Sequence, residues 1–372
     1  AVHAAALVLS LGAMLLWLAA WKHPVLPPST SLPHTQDWPA LHVIRVVFLS
    51  IGLPFILLAA TTPLFQSWYL DIRPSEPHYG FYALSNTGSV LALLLYPFVV
   101  ERFLTVEQQG FAWAALYVLY VFLGYICAAL ALGGKGASQD TSRDPAAHAG
   151  HTADPRWAPL VGLAALPTFL LVTTTTQITS NVAPVPLLWV WPLAIYLLTF
   201  ILAFSRFSLL PRPLLSIVVV ACCYAAWWAV HNVLRLPILF QLGAYSAFLF
   251  TSCLLCHQKL YEYRSPNRRG ATRYYLLLAS GGALGGATAS LLLPIVLNGF
   301  WEFHAAVALA ATVAAVLLVR SGQSWLRMWK VPIGSAAAIL IVLLAWDIGD
   351  QNENIVARNR NFFGTIRVHR QE

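Results

Sequence analysis

The sequence predicts an all-α polytopic membrane protein of about eleven transmembrane helices, and three observations carry that prediction. Hydrophobic residues make up 59% of the 372-residue chain and charged residues only 10%, where a soluble domain carries roughly a quarter. The apolar residues fall into eleven runs, at 2–21, 43–62, 79–100, 110–132, 158–179, 187–204, 213–230, 236–257, 274–299, 303–319 and 331–346, most of them near the ~20 residues that cross a bilayer. Aromatic residues mark many run ends, as at Trp17 and Trp21, Trp68 and Tyr69, Trp189 and Trp191, Tyr274 and Tyr275, Trp301, and Trp346, the belt expected at a membrane interface. The runs are too long for barrel strands and do not alternate. Disorder, nucleic-acid binding and an ordinary cytosolic enzyme are excluded as main functions. A mean hydropathy of +0.68 needs an apolar solvent rather than one buried core.

The elements follow in chain order. The run 2–21 has the length of a leader's apolar stretch, but no basic segment precedes it and no clear small-residue cleavage site follows, so it reads as a span. Residues 22–42, rich in Pro, Ser and Thr, read as a loop. Residues 133–157 carry Gly, Asp, His and Pro and read as a polar linker. The expected organisation is therefore a first membrane half at 1–132, the linker at 133–157, a second membrane half at 158–346 and a polar stub at 347–372. Residues 258–273 read as a compact basic loop, and Asn361 to His369 as the start of a strand.

The halves share a repeat. Leu53-Pro54 through Thr61-Thr62 aligns with Leu166-Pro167 through Thr174-Thr175 at an offset of 113 residues, and Ser67 meets Ser180 at the same offset. Duplicated halves are common in transporter folds. Kinking prolines whose freed carbonyls are satisfied by hydroxyls explain the pattern equally well. With eleven spans, loops alternate between two sides. One side collects 14 Lys and Arg, from Arg73 to Lys330, and the other has Lys22, Arg45, Arg102 and Arg235 before the tail. The first side is expected in the cytoplasm. That places the net charge of +8 in loops.

Chemistry-bearing candidates are few. Arg45 is the one formal charge inside the runs, and the acids all fall in loops or at helix ends. This disfavours proton-driven and polyamine transport, which use buried acids, and leaves uniport of a neutral or amphipathic solute. A cavity wall, if there is one, is expected to use Thr61, Thr62, Asn86, Thr174, Thr175 and Gln177. Gly281, Gly282, Gly285 and Gly286 form overlapping small-residue pairs that let another backbone approach, within the chain or on a partner. Cys253-Leu-Leu-Cys256-His257 matches a haem-attachment string, but it ends an apolar helix and reads as packing. No catalytic residue, cofactor or metal site is expected.

Several segments together carry a resemblance: Gly52-Leu-Pro-Phe through Gln66-Ser-Trp68, Phe81-Tyr82 through Gly88-Ser89, Leu95-Tyr96-Pro97-Phe98 with Glu101, Pro186-Leu-Leu-Trp189-Val-Trp-Pro192, Cys256-His257, Arg273-Tyr-Tyr and Gly281 through Gly286. Their order and content resemble the membrane domain of bacterial integral membrane proteins described as fused major-facilitator/spermidine-synthase-like proteins. The resemblance implies a multi-pass protein of the bacterial inner membrane with an MFS-like fold. It also implies helices ahead of Ala1 and a soluble synthase-like domain after the tail, for which Asn361 to Val368 resembles the first strand. No catalytic residue carries over. The expected role is a non-catalytic anchor, scaffold or accessory subunit, partnered by lipid and other membrane subunits. A small-solute transporter, or the membrane part of an aminopropyltransferase-like enzyme, are the alternatives.

Overall fold

The computed structural model describes residues 2–28, 39–72, 80–134, 157–181, 188–205, 210–264, 268–297, 299–322, 327–350, 355–361 and 364–369. Among the described residues, ten helical stretches are long and apolar enough to cross a membrane, and a further, shorter apolar helix spans Val190–Phe204. The chain is therefore a multi-pass helical membrane protein. Its elements are α1 (Val2–Trp21), α2 (Pro39–Val47), α3 (Leu53–Ala59), α4 (Thr61–Ile72), α5 (Gly80–Leu95), α6 (Glu101–Phe103), α7 (Val106–Gly134), α8 (Trp157–Asn181), α9 (Val190–Phe204), α10 (Arg212–His231), α11 (Ile238–Glu262), α12 (Arg268–Ala287), α13 (Leu293–Val296), α14 (Glu302–Val319) and α15 (Arg327–Asp350). Two strands, β1 (Ile355–Asn361) and β2 (Gly364–His369), follow.

Most helices outrun their apolar runs, because a helix continues through the polar interface once its hydrocarbon-spanning part has formed. The basic loop expected at 258–273 is shorter for this reason: α11 continues to Glu262 and α12 starts at Arg268. Among the described residues, three helical stretches contain a π turn, at Phe48–Gly52, Tyr96–Val100 and Thr288–Leu292. Each lies at or just before a proline, namely Pro54, Pro97 and Pro294. Proline lacks the N–H that would close the α-helical ladder, and a widened turn accommodates the missing bond.

The repeat does not produce matching local backbones. Leu53-Pro54 follows a π turn, and its helix breaks at Ala60 before Thr61. Pro167 sits inside an uninterrupted α8. The tail also differs from expectation. Asn361 ends β1 and Gly364 opens β2, so the segment from Asn361 to His369 contains a strand end and a second, antiparallel strand. Phe362 and Phe363 lie outside the described residues, as does most of the linker.

The chain divides into two compact units, Ala1–Phe81 with Leu94–His151, and Tyr82–Leu93 with Thr152–Glu372.

The first unit is built on α1, α3 and α7. Leu7, Met14, Leu57, Tyr117 and Val121 form its buried cluster. Ser10 Oγ donates to Leu7 O, so Tyr117 supplies the proton in its 2.7 Å hydroxyl pair with Ser10. Past α1, Lys22 adopts φ 59° and turns the chain. His23 Nδ1 accepts the backbone N–H groups of Val25 and Leu26, which puts the ring proton on Nε2 for donation to Glu107 O at 3.2 Å. Gly110 makes room for that ring, because a Cβ there would stand 2.1 Å from it.

The second unit packs α8, α10, α11, α12, α14 and α15 around a core that includes Phe248, Leu249, Leu254, Leu255, Leu318 and Leu340. Gly281 abuts Val161 and Ala164, Gly285 abuts Ala165, and Gly282 and Gly286 face Thr168. The small-residue face lets the backbones of α8 and α12 approach, as such faces do between membrane helices.

Candidate functional site

The second unit has a polar feature at each end of α10 and α14. At one end, Asp347 in the last turn of α15 is buried, at 2% exposure. It is held between two histidines from other helices. His231 Nδ1 at the end of α10 lies 2.9 Å from Oδ1, and His304 Nε2 in the first turn of α14 lies 3.0 Å from Oδ2. An ionised Asp347 accepts from both rings, and this ties α10, α14 and α15 together. Trp227 stacks on His231 at 5.7 Å, and Trp301 meets His304 edge-on at 5.4 Å. Two buried polar atoms around the cluster, His304 Nδ1 and Trp227 Nε1, make no hydrogen bond. Glu302, two residues before His304, is buried as well.

This corrects one expectation drawn from charge placement. Asp347 and Glu302 do lie at helix ends, but they are buried inside the unit rather than solvated. The apolar runs stop at Trp346 and start at Phe303, one residue short of each acid.

At the other end, α9, α10, α11, α14 and the chain after it line a partly open cavity of about 660 Å³. Arg212, Lys259 and Arg320 line it. One carboxylate answers them: Glu262 pairs with Arg212 and accepts from Lys259 Nζ at 2.6 Å. Leu202, Leu255 and Leu317 form apolar parts of the lining. The three cations come from three connections that loop alternation assigns to one side, and they meet at one end of the unit.

The other sequence candidates lie elsewhere. Thr61 Oγ1 donates 3.2 Å to Leu57 O and shares a 2.7 Å contact with Tyr120 OH in the first unit, where Thr62 is half-buried. In the second unit, Thr175 donates to Leu171 O and Asn86 Nδ2 to Tyr82 O. Thr174 is fully buried with Oγ1 unpartnered, and Gln177 is half-buried. None of the six lines the basic cavity. Hydroxyls bonded to their own helix four residues back satisfy the backbone without a ligand.

The haem-like string is packing material. Cys253 and Cys256 are buried in α11. His257 is fully buried and stacks 3.7 Å from Phe200. Thr199 gives its proton to Tyr196 O, so His257 Nδ1 donates to Thr199 Oγ1 at 3.0 Å. Among the described residues no group of three or more His, Cys, Asp or Glu is placed to hold a metal ion.

No protein-family model, curated protein or solved structure matches this chain.

Proposed function

We propose that this chain is the membrane domain of a spermidine-synthase-like protein of the bacterial inner membrane. In this reading it works as an anchor, scaffold or accessory subunit of a larger membrane assembly and carries out no chemistry itself. The observation that carries the reading is the stretch Gly80–Phe103. It is long enough to span, yet none of its residues is buried, and it carries Ser85, Asn86, Thr87, Gly88 and Ser89. Nothing lies within 4 Å of a Cβ built at Gly88. Small and hydroxyl residues are the material of helix–helix contacts in bilayers, where facing lipid brings a span no hydrophobic gain. The tail supports the same role. Residues 351–354 are all that separate Asp350 from β1, a reach of at most about 17 Å. The polar hairpin is thus tethered close to the last span.

A photo-crosslinking residue at Ser85 or Ser89 in native membranes tests this. The expected product is a covalent adduct with another membrane polypeptide. Adducts to lipid alone, together with a monomer mass in native detergent complexes, overturn it. A second reading, an MFS-like transporter of a small neutral or amphipathic solute, is favoured by the polar features at both ends of α10 and α14. Solute flux in proteoliposomes containing only this protein would establish it.

A further inference from the structure

We propose that the basic cavity of the second unit is a binding site for a phosphate group, presented by an anionic phospholipid headgroup or by a soluble phosphate ester. The charge balance comes first. Three cations line the cavity against the single carboxylate of Glu262, and Arg320 has no ion-pair partner among the described residues. The helix ends reinforce this balance. The N-terminus of α10 opens onto the cavity with Pro211 at its cap, no side-chain cap bond and no acid in its first turn. Pro211 and Pro213 carry no N–H, so what this end brings to the site is the positive end of the helix dipole and the backbone of Arg212.

The two helix C-termini at the rim would repel an anion, but cations cap both. Lys330 Nζ donates to Val319 O at 2.9 Å and Ser321 O at 2.7 Å beyond α14. Arg264 Nη1 donates to Tyr261 O at 2.7 Å at the end of α11, with its guanidinium 3.7 Å from the Tyr261 ring. The cavity is thus positive where its helix ends meet it and apolar at Leu202, Leu255 and Leu317. That is the division a phosphate joined to glycerol and acyl carbons requires, and basic pockets between membrane helices recognise such headgroups. A volume of about 660 Å³ exceeds the need of a bare phosphate and falls in the range of small-molecule sites.

The site is independent of the anchoring role and is tested on the full chain in detergent. Native mass spectrometry reads retention of phosphatidylglycerol against phosphatidylcholine, and thermal unfolding reads the effect of millimolar inorganic phosphate. Preferential retention of phosphatidylglycerol with inert phosphate identifies the lipid as the source. Phosphate that raises the unfolding temperature and displaces the lipid identifies the phosphate group itself, with a soluble ester as an occupant. Arg320→Gln, at an exposed residue, lowers retention about fivefold, whereas Arg235→Gln at the opposite end of α10 leaves it unchanged. Equal retention of both lipids with no effect of phosphate overturns the proposal. So does Arg320→Gln behaving like Arg235→Gln. The lipid and phosphate comparison on the unaltered protein does not depend on any variant folding.

Discussion

Replacing Gly285 with alanine should separate α8 from α12, and the four glycines of that face form a graded series. A Cβ at position 285 would lie 2.0 Å from the Ala165 carbonyl oxygen and 2.7 Å from its carbon. Reaching even the ~3.0 Å floor of real Cβ contacts requires a shift of about 1 Å, and the obstacle is backbone, so a whole helix must move. At Gly281 the obstructions stand at 2.6 Å, one a backbone oxygen and one the Ala164 methyl. At Gly282 and Gly286 the nearest atoms are Thr168 side-chain atoms at 3.4 Å, an ordinary contact. Overpacking of the first kind costs about 1–3 kcal/mol. In the second pair the gain in helix propensity, up to ~1 kcal/mol, offsets or exceeds the cost. The expected order of stability is Gly286→Ala and Gly282→Ala near the parent, Gly281→Ala lower, and Gly285→Ala lowest, by on the order of 5 °C. A thiol-reactive dye is a suitable reporter, because buried Cys253 packs against α8 with Sγ 3.8 Å from Pro167 O. Equal unfolding temperatures for Gly285→Ala and Gly286→Ala would refute the close approach.

Three further outcomes follow from single sites. Asp347→Ala removes the acceptor of two imidazoles, one of them buried, and should cost about 3–5 kcal/mol. Asp347→Asn keeps an acceptor for one ring and should cost far less, so the gap between them in the same unfolding assay measures the bridge. Lys22→Gly relieves a left-handed backbone at an exposed position and should raise stability by about 1 kcal/mol. Gly110→Ala puts a methyl into the His23 ring, which should free the 22–28 segment and speed its limited proteolysis several-fold at unchanged protease.

Composition and run length made the spans legible, because a bilayer imposes one length on every crossing. Legibility failed where polar side chains converge from distant parts of the chain. His231, His304 and Asp347 are far apart in the chain, and no local pattern links them. Both acids were lost because hydropathy ends a run at the first charge, whether that charge faces water or a histidine. Arg212, Lys259 and Arg320 could be assigned to one side by counting loops, but their convergence on one cavity depends on how α9, α10, α11 and α14 pack. The glycine face was plain from the sequence. Its partner, Val161 to Thr168 of α8, was not, since nothing in that stretch announces a receiving surface. Thr61 and Thr174 share a repeat position yet sit on different backbones, one after a helix break and one within a continuous helix.

The three π turns have a consequence for how such a chain can change. Each holds one residue more than an α-turn would, and it rotates everything downstream by about 100° relative to an unbroken helix. The lipid-facing side of one half of the span is therefore not continuous with that of the other half. Removing a single residue from Tyr96–Val100 would leave the span's length almost unaltered while turning Glu101–Phe103 to a different neighbour. Each of these spans thus behaves as two half-helices, joined at a position where register can shift by one.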